Sequence, residues 1–170
     1  MKEKTGPIVS VVMGSDSDFP IMNETIKVLE EFGIPHELFL TSAHRSPERT
    51  SSFAKGAAQR GIKVIIVGAG AAAHLAGVIA SQSLLPIIGI PINATALGGI
   101  DALLSIAQMP GGVPVATMAV GKAGAKNAAL LAIRILAVED ETLQKSLRTF
   151  VKKMAQDIKK KQENLTCPKS

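Results

Sequence analysis

The sequence predicts a doubly wound parallel α/β domain, and three observations carry that prediction. Short apolar, β-branched runs alternate with helical stretches from Ile8 to Ala137. Runs such as Val64 to Val67 and Leu84 to Ile90 are apolar at successive positions, interrupted only by Gly or Pro, as in strands covered on both faces. The apolar content is Ala, Val, Ile and Leu, with no Trp, no Tyr and 3% aromatics, which suits helices packed closely on a sheet.

The first strand is Ile8 to Met13. Gly14-Ser15-Asp16-Ser17-Asp18 turns the chain out of it, and an amphipathic helix follows from about Pro20 to Phe32. Gly33 closes that helix, Pro35 blocks its continuation, and His36 to Leu40 forms the second strand. Thr41 to Glu48 leads into the next helix. Ser46 offers it a capping hydroxyl, Pro47 suits its first position because the missing N–H would be orphaned there, and Glu48 complements its positive end. That helix runs to Arg60 and stops at Gly61.

Lys63 to Val67 is the third strand, followed by the small-residue stretch Gly68 to Gly77 and an apolar helix to about Ser83. Pro86 to Ile90 is the fourth strand. Asn93 to Gly99 reads as a loop, Asp101 to Gln108 as a short helix and Met109-Pro110-Gly111-Gly112 as a break. Val113 to Val120 is the fifth strand, and Gly121-Lys122-Ala123-Gly124 leads to an Ala-rich helix over Ala125 to Ala137. Each helix carries the chain back across the sheet, so the strands pair in parallel.

Beyond this core, about 7–138, one further helix is expected over about 140–161. Leu143, Leu147, Phe150, Met154 and Ile158 form an apolar stripe on its otherwise charged surface. The stripe packs either on its own domain or on a neighbouring subunit, and the second is favoured. Residues 162–170 read as a disordered tail. No repeat or linker interrupts the chain, so all 170 residues are expected to form a single domain.

Composition excludes several function classes. Hydrophobic residues make up 46% of the chain, and a mean hydropathy of +0.27 implies apolar surface that meets other subunits. No apolar run approaches the roughly 20 residues of a membrane span. Met1 to Gly6 is charged and precedes a strand, not a secretory leader, so a cytoplasmic protein is expected. The lone Cys167 supports neither a disulfide framework nor a cysteine metal site. The net charge of +5 comes largely from late lysines, among them Lys152, Lys153, Lys159, Lys160, Lys161 and Lys169. With almost no aromatics to stack on bases, that cluster reads as a solvated helix face and not a nucleic-acid surface.

Chemistry-bearing residues gather where strands give way to helices, the edge at which open parallel sheets bind ligands. His44 and Arg45 lie side by side after the second strand. Gly14 to Asp18, after the first, offers hydroxyls and backbone N–H groups to a phosphate and the Asp18 carboxylate to a sugar hydroxyl. The same residues also make a good helix cap with no ligand at all. Arg45 adds a group that clamps phosphate bidentately. His74 follows the third strand, so two of three histidines fall at this edge, and histidine takes and returns protons near neutral pH. A loop histidine satisfied by a carbonyl is the alternative for His44, and His36 reads as structural. No His or Cys spacing matches a metal signature.

Two phosphate motifs are imitated and fail. Gly68-x-Gly70-x-x-Ala73 follows the third strand instead of the first, and Ile90 to Thr95 holds no acid for a ribose. Gly121-Lys122 lacks a glycine five residues earlier, where Ala116 stands, and is followed by Ala123, so no Walker loop is present.

Taken in order, several motifs resemble one family. These are Met13-Gly14-Ser15-x-Ser17-Asp18, Ser42-Ala43-His44-Arg45, Gly68-Ala69-Gly70 with Ala72-Ala73-His74-Leu75, Gln108-Met109-Pro110 and Gly121-Lys122-Ala123-Gly124. The chain resembles the N5-carboxyaminoimidazole ribonucleotide mutases, the catalytic-subunit type of purine-biosynthetic carboxylases, over roughly Ile8 to Ala137. The resemblance implies a flavodoxin-like three-layer αβα domain with a five-stranded sheet, assembled as an octamer with the last helix packed on a neighbour. It implies transfer of a carboxylate from N5 to C4 of an aminoimidazole ribonucleotide, with no metal, ATP or organic cofactor. An ATP-dependent carboxyaminoimidazole ribonucleotide synthase would hand over the substrate.

By resemblance, His44 is the proton-transfer residue, Asp18 holds ribose hydroxyls, Arg45 holds the phosphate, and Ser15, Ser17 and Ser42 complete the cradle. Gly70, His74 and Leu75 line the pocket that confines carbon dioxide and the ring. A second branch of the family carboxylates aminoimidazole ribonucleotide directly and tends to carry Lys after the catalytic His, so Arg45 favours the mutase branch. Ala71 stands where the mutases usually have Gly, and Ala76 where they usually have Pro. A non-catalytic nucleotide-binding module is the reading from another class.

Overall fold

Five parallel strands are arranged in the order β2-β1-β3-β4-β5. They are β1 (Val9–Met13), β2 (His36–Leu40), β3 (Val64–Gly70), β4 (Ile87–Ile92) and β5 (Ala116–Thr117). The computed structural model describes residues 6–163 and 165. Its helices are α1 (Phe19–Glu31), α2 (Pro47–Gly56), α3 (Leu75–Ala80), α4 (Ile100–Ala107), α5 (Lys122–Leu136) and α6 (Glu141–Glu163). The strand order and the helices on both faces define an α/β flavodoxin-like fold. The chain separates into two compact units, one up to Ile133 and the other from Arg134 onward.

β1 lies between β2 and β3, with Met13 level with Leu40 on one side and Gly68 on the other. The chain leaves β1 toward one neighbour and later returns to the other side of it, so the loops after these strands emerge at a topological switch point. One sheet face carries Val12, Ile65 and Val67 beneath Phe53, Ala54 and Ala57 of the α2 region, Ala76 and Ile79 of α3, and Ala102 and Ile106 of α4. The other face meets α1, where Met22 sits directly over Gly68. α1 is tied to α5 by the Thr25 hydroxyl, which donates to the Ala125 carbonyl at 2.9 Å.

Several elements differ from expectation. β3 continues through Gly68-Ala69-Gly70, which pair with Ile90, Pro91 and Ile92 of a β4 that itself runs two residues past its expected end. A bare glycine lets Met22 and Ala94 approach the strand where a side chain would not fit. β5 keeps only two paired residues of the expected eight, because Pro114 has no N–H to donate and the strand lies at the sheet edge. α2 ends at Gly56, and a 3-10 turn over Ala58–Arg60 carries the chain to Gly61. α3 is shorter than expected. α5 starts at Lys122, ahead of the predicted Ala125, with Gly124 backed against the Ala119 carbonyl.

In the second unit, Asp140 accepts from the amides of Thr142 and Leu143 at 2.8 and 3.0 Å and so caps α6. That helix continues through Gln162 and Glu163, past its expected end. The remaining tail, except Leu165 but including Cys167, lies outside the described residues. No helix among the described residues is long and apolar enough to cross a membrane.

Candidate active site

Three loops meet at the switch point. The first follows β1. Ser15 caps a 3-10 turn over Asp16–Asp18, and its N–H donates to the Asp18 carboxylate at 3.0 Å. The Ser17 hydroxyl reaches the Ser15 hydroxyl at 2.8 Å. Asp18 is only 5% exposed. Burial pushes its carboxyl above the ordinary carboxylate value, against the pull of the Ser15 and Gly14 amides and the Arg45 charge.

The second loop follows β2 and is braced by neutral hydroxyls. Thr41 and Thr50, both buried, share a hydrogen bond of 2.9 Å. Ser46 was expected to cap α2, but its side chain makes no cap bond. Its hydroxyl instead donates to the Ser42 carbonyl and accepts from the Ser42 amide, each at 3.0 Å. This closes the loop on itself and leaves His44 and Arg45 at its tip. The Ser42 hydroxyl accepts from the Arg45 amide at 3.2 Å. Arg45 Nη2 donates to the Gly14 carbonyl at 3.1 Å, which links the second loop to the first.

The third loop joins β3 to α3. It brings His74 to His44, with His44 Nε2 and His74 Nδ1 2.8 Å apart and the rings nearly perpendicular at 82°. A contact of this length carries one proton between the two nitrogens. The far nitrogens, His44 Nδ1 and His74 Nε2, have no hydrogen-bond partner among the described residues.

Between these loops lies an open cavity of about 350 Å³, within the range of small-ligand sites. Every residue named from the sequence touches it: Ser15, Ser17, Asp18, Ser42, His44, Arg45, Gly70, His74 and Leu75. Polar groups predominate in the part formed by the first two loops, while Gly70, Leu75 and alanines, with His74 among them, line the rest. Ala71, Ala72 and Ala94 complete that apolar wall and were missed as site residues. An alanine carries no chemical signal, and Ala94 reaches the cavity only because β4 runs on to Ile92.

Such a site can grip an anion and a polyol at one end, exclude charge at the other, and hold a mobile proton between them. Residues 8–157 match the family described as AIR carboxylase, and the chain belongs to that family. Among its curated relatives, N5-carboxyaminoimidazole ribonucleotide mutase from Pyrococcus horikoshii is 54% identical over 159 residues, 94% of this chain and 89% of that one. The protein of that name from Bacillus subtilis is 52% identical over 141 residues, 83% and 87% of the two chains. A crystal structure of Treponema denticola PurE superimposes with a TM-score of 0.85 at 30% identity, covering 95% of this chain and 99% of that one.

Proposed function

We propose that this chain is an isomerase of purine biosynthesis, converting N5-carboxyaminoimidazole ribonucleotide to the C4 carboxylate, with His44 as its proton carrier. The observation that carries the reading is the 2.8 Å pairing of His44 with His74 at one cavity with Arg45 and Asp18. Arg45 and the Ser15, Ser17 and Ser42 hydroxyls hold the phosphate, and Asp18 the ribose hydroxyls. Gly70, His74 and Leu75 line the part of the pocket that confines uncharged carbon dioxide.

The N5–carboxylate bond breaks, carbon dioxide departs, and N5 takes a proton from His44. The electron-rich C4 attacks the trapped gas, a carbon–carbon bond forms, and the C4 proton returns to His44. The histidine pair suits both steps. When His44 donates Nε2–H to His74, its Nδ1 is a base; when it accepts from His74, its Nδ1 carries the proton and is an acid.

The same reading gives a cytoplasmic octamer in which α6 packs on a neighbour through Val151, Met154 and Ile158, which are 44–66% exposed in the single chain. An ATP-dependent synthase supplies the unstable carbamate.

A second reading, direct carboxylation by carbon dioxide, is favoured by one relative, Phosphoribosylaminoimidazole carboxylase of Saccharomyces cerevisiae, 46% identical over 159 residues. That match spans 28% of the yeast protein. Incubation without ATP decides between them. Rapid C4 carboxylate from the N5-carboxy substrate alone supports the mutase, and efficient product from aminoimidazole ribonucleotide plus bicarbonate supports the carboxylase. No product from either overturns both.

A further inference from the structure

β3 ends at Gly70 and α3 begins at Leu75, so four residues turn the chain from sheet to helix. Both ends of this link are immobilised. A Cβ on Gly70 would lie 2.5 Å from that of Ala94 and 3.2 Å from the Ile92 carbonyl oxygen, so the strand end is wedged in place. At the other end Ala73 and Leu75 are buried in the core. Within the link, the His74 amide donates to the Ala72 carbonyl at 2.8 Å.

The reversal falls on Ala71, whose φ is +52°; it is the one non-glycine residue with positive φ among the described residues. An L-residue in that conformation crowds its Cβ against the following carbonyl. Such conformations persist where the surroundings over-determine them, and they gather at ligand clamps and active sites. Ala71 itself lines the cavity.

We propose that Ala71 is a positioning residue, whose left-handed backbone, fixed between the Gly70 wedge and the buried Ala73 and Leu75, sets the His74 ring against His44. A negative φ at this position, with the same anchors, would redirect the next two peptides and swing His74 away from its partner. The requirement is for a conformation and not for a small side chain. Its effect on turnover rests on the reading of His44 as proton carrier, while its effect on geometry does not.

Three variants test it. Gly and Asn adopt the left-handed conformation readily, whereas a β-branched residue there is an outlier. Ala71→Gly and Ala71→Asn are expected to keep His44 Nε2 and His74 Nδ1 in hydrogen-bond contact in crystal structures. Ala71→Val, close to Asn in bulk, is expected to part the rings beyond about 3.5 Å and lower kcat by ~10-fold or more with a smaller change in KM. Ala71→Thr replaces it if the Val variant does not fold. Retention of the ring contact in the β-branched variant overturns the proposal, as does its loss in Ala71→Asn, which makes bulk the cause. Absence of turnover in the parent protein would sink the mutase reading, and the ring separations would still decide the role of Ala71.

Discussion

His44 Nε2 and His74 Nδ1 lie 2.8 Å apart although thirty residues separate them in the chain. One proton serves both nitrogens, so the far nitrogen of His44 is base or acid according to which ring holds it. His44→Asn is therefore expected to lower kcat by ~10²-fold or more, the usual contribution of a positioned acid–base group, while ligand affinity measured by calorimetry stays within about threefold. His74→Asn is expected to lose less, because it removes only the partner. Turnover that survives His44→Asn would remove His44 from the chemistry.

Asp18 links ionisation to stability. Its carboxyl is raised above the reference value of 3.8, chiefly by burial, so the folded state holds the proton more tightly than the unfolded one. Stability from this group is then fully present below about 3.8 and is lost as pH rises through the raised folded value. The Tm of Asp18→Asn minus that of the parent should increase across that window and level off above it, measured by calorimetry at a series of pH values. The same substitution should weaken ribonucleotide binding at neutral pH. A Tm difference independent of pH contradicts the linkage.

Gly70→Ala forces a methyl against Ala94 and the Ile92 carbonyl, and overpacking of this kind costs about 1–3 kcal/mol. Denaturant unfolding should show that loss. Adding Ala94→Gly opens the space beside the nearest atom and should recover part of it. Equal stabilities for the single and double variants would mean that the strand end is not wedged.

The apolar stripe of α6 gives a test of assembly. Removal of residues from Gln144 onward should reduce the mass measured by light scattering from that of an octamer to a smaller species. An unchanged mass would exclude the helix from the subunit contacts.

The alternation of strands and helices was legible because β1, β3 and β4 are β-branched runs and β2 a short apolar one, each bounded by Gly, Pro or polar turns. The ends of β3 and β4 were not. Gly68-Ala69-Gly70 and Pro91 look like chain breakers when read alone, and they become strand only because they pair with each other. Val113 to Val120 misled in the opposite direction, since its composition suits a strand but Pro114 and an edge position leave two paired residues. At the site, chemistry was easier to read than shape. His44, Arg45 and Asp18 announce themselves by residue type and by their places after strands. Ala94 depends on how two loops meet and leaves no mark in composition, while the φ of Ala71 is hinted at only by its standing where the resembling mutases usually have Gly.

The second loop owes its form to Thr41, Ser42, Ser46 and Thr50, which hold one another through uncharged oxygens and amides. Ionic strength screens charges, not bonds of this kind, and none of these hydroxyls changes protonation across the physiological range. The frame under Arg45 is thus electrically silent. Substrate charge can arrive and leave, and protons can move through the histidines above it, without the scaffold registering either event. Swings in cellular salt or acidity will alter how strongly ligands are held, but not the footing of the loop that carries Arg45.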